Sequence, residues 1–558
     1  MSSKKNQRVS IAVIIGIIIL LNVIASFYFE RFDLTENKRY TLSSTAKNIV
    51  ENVEEPIIID VYLKGEFPSE YKRLQRETRY LLEEFSANNS QIKFNFINPL
   101  ADGGDAQQIA ERFYRAGMIP KTLNVYENGK TSESILFPWA VAMYKDQSVK
   151  INLLKRNVGD SQEETVNNSV EQLEYIFADA FNKLVKPRSK KIAVMRGNGE
   201  LPDAFIADFI KDLREYYYIA PFTLDSVAKT PQQTLQKLKE FDLILEAKPT
   251  EKYTEEEKYV LDQYLLNGGK ALWLAETVNI EKDSLFNNPQ NSALAYPKDL
   301  NLTDFFFKYG IRINPSLVND INSAPLILAS GSGNQTEFNP YPWFYSPLAI
   351  SDKKHPIVNN IEAVKFDFAN PIDTLKNSIK KTVLLSSSPY TKVEGTPLQL
   401  SLDIIEERPN PELYKDGPQP LAVLLEGKFS SVYENRIKPF PLENEIEHGK
   451  ETKMLVISDG NVIKNEFSQG KPKPLGYDRY TGNTYGNKEF LMNAVNYMLD
   501  DTGLVDIRSK EVKLAFLNTE KIEDEKLKWQ LINILLPLVF LGIFAIAFFA
   551  IRKRKYVK

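Results

Sequence analysis

The sequence predicts an α/β protein, with strands packed under helices, carried between two membrane-spanning helices. Three observations support this. Uncharged runs stand near both ends of the chain, IAVIIGIIILLNVIASFYF at 11–29 and LINILLPLVFLGIFAIAFFAI at 531–551. Between them, short apolar runs rich in β-branched residues alternate with amphipathic stretches, the pattern of strands buried on both faces under helices. The composition, 43% hydrophobic and 26% charged, belongs to a folded chain rather than a disordered one. With 558 residues there is room for several domains.

The two runs come first because they set the compartment. A helix rises about 1.5 Å per residue, so 19 and 21 uncharged residues each suffice to cross a hydrocarbon core of about 30 Å. Outside the first run lie Lys4, Lys5 and Arg8, and outside the second lie Arg552, Lys553, Arg554, Lys555 and Lys558, with no acid in either tail. The inner flanks are of mixed sign. Positive charge stays inside, so residues 1–10 and 552–558 are expected as cytoplasmic tails of a two-span protein of the inner (cytoplasmic) membrane, with a large periplasmic body. The net charge of −3, less +3 and +5 for the tails, leaves −11 on that body. An acidic body does not read as a nucleic-acid binder. A cleaved signal peptide is the alternative for the first run: Lys4, Lys5 and Val23-Ile24-Ala25 fit its pattern, whereas the bulky Phe27-Tyr28-Phe29 do not. Asn22 and Asn533 are polar positions suited to bonds between membrane helices.

A juxtamembrane segment at 30–52 leads into the first domain, 53–157. IIIDVYL (57–63) reads as a buried strand. Leu74, Thr78, Leu81, Leu82 and Phe85 form one helical stripe, and IKFNFIN (92–98) alternates as a strand with one buried face. A helix near 105–116 follows, then Ile119-Pro120, the strand KTLNVYE, the turn Asn128-Gly129 and a strand near 132–137. Strand, helix, strand, helix, strand, strand is a thioredoxin-like order. The isomer of the Ile119-Pro120 bond stays open. Residues 158–187 form a helical connector with an apolar stripe at Val170, Leu173, Ile176, Phe177, Ala180 and Phe181, ended by Pro187.

The second domain, 188–502, begins with the strand KKIAVMRG and a helix near 203–216. FDLILEA (241–247) is an apolar strand. Thr254 and Glu257 spell a capping box, Gly268-Gly269 stops that helix, and KALWLAE is the next strand. Further strands are expected at 381–387, 421–426 and 453–458, and a closing helix at 486–500. The alternation predicts a parallel sheet covered on both faces and looks like a class I glutamine-amidotransferase-like fold. An insertion rich in Asn, Pro and aromatic residues is expected near 277–380, and a juxtamembrane segment at 503–530.

The residues offer little for catalysis. There is no Cys, which removes thiol and Cys-zinc chemistry, and only two His, His355 and His448, neither set beside a nucleophile. No GxxxxGK[ST] or GxSxG occurs; the nearest serine pattern is Ser330-Gly331-Ser332-Gly333. No catalytic, cofactor-binding or metal-ligating residue is therefore assigned. Two features stand as candidates for a ligand or partner. Gly197, Asn198, Gly199 and Glu200 follow a strand and precede a helix, where a phosphate loop would sit, although the third Gly of a dinucleotide loop is absent; a tight turn is the alternative. Tyr341, Trp343, Phe344 and Tyr345 lie in NPYPWFYSPL, either a partner surface or the packing of an irregular loop.

RFDLTENKRYTLSSTAKNIVENVEEPIIIDVYL (31–63) resembles the opening of the GldG family, gliding-motility-associated ABC-transporter auxiliary, substrate-binding-like proteins of Bacteroidetes. The resemblance extends to the strand-Gly-x-Gly-Glu step at 192–200, the Gly-Gly strand and the second apolar run. Where such relatives often have Gly-His-Gly-Glu, this chain has Asn198. The resemblance implies an ABC permease partner and, through it, a cytoplasmic ATPase, with a role in gliding motility and associated protein secretion. An envelope protein or glycan is a further partner. The expected protein is thus a non-catalytic component of an ABC-transporter-like complex. An envelope hydrolase or amidase with an unrecognised site, and a periplasmic solute- or glycan-binding receptor, are the alternatives.

Overall fold

The computed structural model describes residues 13–20, 41–65, 67–101, 103–127, 130–155, 160–186, 188–287, 289–330, 337–351, 355–406, 408–509 and 519–556. Residues 1–10, most of the first apolar run with Asn22, the motif 31–40, the Asn128-Gly129 turn, Pro187 and Gly331–Gly333 lie outside the described residues. So does 510–518.

The protein is mixed α/β. A small sheet has strand order β2-β1-β5-β6. β1 (Ile57–Val61) runs parallel to β2 (Ile92–Phe96) and antiparallel to β5 (Trp139–Tyr144), which pairs antiparallel with β6 (Gln147–Asn152). Helices α1 (Ser44–Glu51), α2 (Ser69–Asn88) and α4 (Gln162–Val185) cover it; α3 (Ala106–Arg115) lies between β2 and the next strands. α1 starts where Ser43 Oγ accepts the Ala46 N–H, and α4 starts at a Ser161–Glu164 capping box.

The expected third strand is placed differently. KTLNVYE is β3 (Lys121–Glu127), which among the described residues pairs only with β4 (Lys130–Leu136), in a separate hairpin. The strand that joins β1 is β5, WAVAMY, whose buried positions are Ala140, Ala142 and Tyr144. Alternation marks any ribbon with one apolar face, so it does not say which ribbon enters the main sheet, and alanines carry little strand signal. Ile119-Pro120 is trans, because the described cis bond is Thr396-Pro397.

The large sheet has order β11-β12-β13-β10-β9-β7-β8. Its strands are β7 (Lys191–Arg196), β8 (Tyr218–Thr223), β9 (Leu243–Ala247), β10 (Lys270–Leu274), β11 (Lys380–Ser386), β12 (Pro420–Ser430) and β13 (His448–Ile457). β8, β7, β9, β10 and β13 pair in parallel, and β12 lies antiparallel to both of its neighbours, β13 and β11. The sheet is therefore mixed rather than wholly parallel. LAVLLE reads the same either way, because a strand buried on both faces is apolar whatever its direction. Alternate residues feed two cores: Ile192 and Val194 pack on one face, Ala193 and Met195 on the other. Helices α5 (Ala207–Leu213), α6 (Pro231–Leu238), α7 (Glu255–Leu266) and, later in the chain, α9 (Asn487–Leu499) cover the faces.

Between β10 and β11 the chain forms short strands and α8 (Thr303–Tyr309). This excursion overruns the expected 277–380: residues 391–395 and 398–401, beyond β11, pair with its strands at 316–320 and 292–295. A second compact unit, 512–558, contains α10 (Thr519–Tyr556). Within α10, Glu525–Arg554 is long and apolar enough to cross a membrane, and its apolar side chains are exposed. In the first apolar run, residues 13–20 are helical with exposed side chains.

Candidate functional site

In the large sheet, β7 comes first in sequence, β8 lies on one side of it and β9 on the other. The order reverses at β7, and open α/β sheets usually bind ligands beyond the strand carboxyl ends at such a reversal. Gly197–Glu200 stands there. Gly197 (φ +118°) and Gly199 (φ +73°) allow the turn, and a Cβ on Gly199 would lie 2.1 Å from Thr250 Oγ1. The turn is stitched to the chain after β9. Thr250 N and Glu251 N both donate to Asn198 O at 2.9 Å, and Thr250 Oγ1 donates to Gly199 O at 2.9 Å. Asn198 is 5% exposed, and its N–H donates to Glu200 Oε2 at 3.0 Å. The Asn198 and Gly199 carbonyls are thus bonded to the chain after β9, and the Asn198 N–H to Glu200.

Glu246, fully buried on β9, stands beside Trp273 of β10 in the sheet register and accepts from Tyr253 OH at 2.9 Å. Among the described residues, Glu246 Oε1, Glu200 Oε1 and Trp273 Nε1 are buried without a hydrogen-bond partner. Burial, and then the neighbouring Glu200 charge, push the Glu246 carboxyl well above its ordinary range. Burial also raises Glu200.

A second buried cluster binds the excursion to the same carboxyl edge. Lys248 Nζ donates to Asn461 Oδ1 at 2.8 Å, pairs with Glu281, and stands 3.7 Å from Glu276, which also pairs with Lys298 at 2.7 Å. Asp459 accepts the N–H groups of Asp367 (2.6 Å) and Asn461 (2.7 Å). Burial, followed by the charge of Glu276, pushes Asp459 up to about 8. Burial opposes ionisation of Asp367 too, but Lys282 (2.7 Å away) and Lys365 hold it down at about 2. Glu281, Lys298 and Asp367 come from the excursion, so the Lys248–Glu281 and Lys298–Glu276 pairs and the Asp367 N–H bond to Asp459 hold it over the ends of β9, β10 and β13.

The aromatic candidate is corrected. Trp343, Phe344 and Tyr345 are buried, and Tyr341 is half-buried on a short strand. Trp343 and Tyr345 pack in the excursion's own small core with Phe368, Trp343 edge-on to Phe368 and Tyr345 stacked on it, and Tyr345 OH donates to Glu394 at 2.6 Å. An excursion this long needs a core of its own, and these rings supply it. The two histidines stand apart. His355 packs on Tyr497, and His448 lies beside Ser430 at the amino end of β13, the edge opposite Gly197–Glu200.

At that amino edge opens a cleft of ≈ 870 Å³. Sequence reading missed it, because its walls come from four stretches far apart in the chain, none of which carries a motif.

Residues 189–494 match a family described as an ABC-type uncharacterized transport system, and residues 36–143 match a domain of unknown function. An uncharacterized protein of Borreliella burgdorferi is 22% identical over 565 residues, covering 100% of both chains. Among solved structures, the mmIFT52 N-terminal domain aligns with TM-score 0.31 and 15% identity over 56% of this chain and 99% of that one. Because the transport-system match takes in more than half of the sequence, together with the large sheet and its buried carboxyl edge, this chain belongs to the ABC-type transport system auxiliary family.

Proposed function

We propose that this protein is a non-enzymatic, membrane-anchored accessory of an ABC transporter, acting outside the cytoplasm by docking to a permease subunit and, through it, to a cytoplasmic ATPase. The family match over 189–494 is the observation that carries this reading, since it ties the large-sheet region to ABC-type transport. The buried carboxyl edge supports it: the turn, the chain after β9 and the excursion occupy the place where a ligand or nucleophile would stand. α10 and the run at 11–29 are the proposed anchors, with both tails cytoplasmic. The order and sense of β2-β1-β5-β6 support a thioredoxin-like reading, and the five parallel strands an amidotransferase-like one. The resemblance of 31–63 to the GldG opening supports a role in gliding motility and protein secretion.

Co-purification from detergent-solubilised membranes tests it. A permease subunit should accompany the wild-type chain and be lost when 531–551 is replaced by an unrelated apolar helix of equal length. Recovery of the chain without any permease under conditions that preserve membrane complexes would overturn the proposal.

A further inference from the structure

We infer that the cleft at the amino edge of the large sheet binds a short, uncharged oligosaccharide. Its walls are β6, the carboxyl half of α4, the turn into β8, and the segment after α9. It thus lies where the two sheet layers meet, a usual place for small-molecule sites, and its ≈ 870 Å³ falls within their usual range of ~300–1,000 Å³.

Three of the five cations in the cleft are paired with carboxylates, one of them with Asp242 just outside its lining. Lys186 stands 2.7 Å from Asp501, Lys183 is 3.2 Å from Asp179, and Lys190 is 3.3 Å from Asp242. Five basic and four acidic side chains line the space in all. An anionic ligand held by Lys183, Lys186 or Lys190 would have to pull it from its carboxylate and then face that carboxylate; a cationic one would meet the lysines. A hydroxyl both donates and accepts, so a sugar can bond to ammonium and carboxylate together without separating them.

The aromatic groups favour the same ligand. Tyr218 is 56% exposed at the start of β8, the edge strand, and offers a planar apolar surface for the C–H face of a sugar ring. Beside it the shelf is held in place. Tyr216 and Tyr217 stack at 5.9 Å, Tyr217 OH donates to Asn496 Oδ1 at 2.8 Å, Tyr216 OH donates to Asp179 at 3.2 Å, and Lys183 sits 3.9 Å from the Tyr216 ring centre. A shelf already ordered loses little entropy when a ligand settles on it. This inference rests on the cleft alone and stands whether or not a permease co-purifies.

The test is titration calorimetry on the full chain in detergent, with chitohexaose, cellohexaose and maltohexaose as probes and inorganic phosphate and spermidine as charged comparators. At least one hexasaccharide should bind saturably, and Tyr218→Ala should weaken it at least tenfold without moving the urea midpoint. Asn182→Ala, on the α4 wall, should show the same loss and serves if Tyr218→Ala unfolds. Co-sedimentation with insoluble chitin or cellulose distinguishes a polymer strand from a free oligosaccharide, either of which supports the inference. No saturable binding of any hexasaccharide at millimolar concentration, binding of phosphate or spermidine in their place, or full binding by both variants overturns it.

Discussion

Asp459 and Asp367 share one buried cluster, yet their carboxyls are displaced in opposite directions. The difference lies in their neighbours: Asp459 faces Glu276, while Asp367 faces Lys282 and Lys365. Asp459, held at about 8, binds its proton more tightly folded than unfolded. Its contribution to stability is complete below about pH 4 and disappears as pH rises through 8. Asp459→Asn lacks that loss, so between pH 5 and 8 it should gain on the wild type by up to about 1.4 kcal/mol per pH unit, read from urea midpoints at pH 5, 6.5 and 8. Asp367, held at about 2, contributes fully above about pH 4 and loses that contribution as pH falls through 2. Asp367→Asn should therefore cost most at neutral pH, the deficit shrinking towards pH 3. Gly199 was legible as a glycine turn from its sequence alone. That the turn is sealed by Thr250 was not, since those residues meet only across the sheet edge. Gly199→Ala combines a positive φ with a Cβ 2.1 Å from Thr250 Oγ1 and should cost about 1–3 kcal/mol; midpoints equal to wild type would show that the turn is free to move.

At the scale of elements, α7 was readable almost residue by residue. Thr254 Oγ accepts the Glu257 N–H at 3.2 Å, and Glu257 Oε2 accepts the Thr254 N–H at 2.7 Å. A cap is a local device, and its residues lie three apart in sequence. Thr254→Ala should lower stability by about 1 kcal/mol, measured by thermal unfolding. The strands of the large sheet were equally visible, because long apolar runs are not ambiguous in type. Their directions were not visible, and β8, YIAPFT, escaped notice: it is an edge strand whose burial pattern is weak. The β3–β4 hairpin shows the same limit, since strand pairing is decided by partners far along the chain.

At the scale of the whole molecule, an ion cluster joins the two sheet layers. Glu489 of α9 bonds Lys155, just after β6, at 2.8 Å, and Arg508 at 2.8 Å; Arg508 also lies 5.0 Å from the Tyr175 ring on α4. Burial opposes ionisation of Glu489, but these two cations hold its carboxyl below the ordinary range. The chain after α9 thus returns to the small sheet, where Leu504 and Ile507 enter the core beside α1 and α4. Glu489→Gln strands two buried cations and should cost about 2–3 kcal/mol. Limited proteolysis should then release fragments divided near residues 155–190 sooner than in the wild type; an unchanged digestion pattern would mean that apolar packing alone holds the layers.

Hydrophobic period and capping residues determined the element types and the apolar span near the carboxyl end, because each depends on residues close together in the chain. Only the folded structure decided which ribbon joins the small sheet, that the aromatic stretch is core, that the glycine turn is closed, and that a cleft opens at the other edge. Those outcomes depend on which distant segments meet, and pairing and burial are properties of contacts rather than of any one stretch of residues.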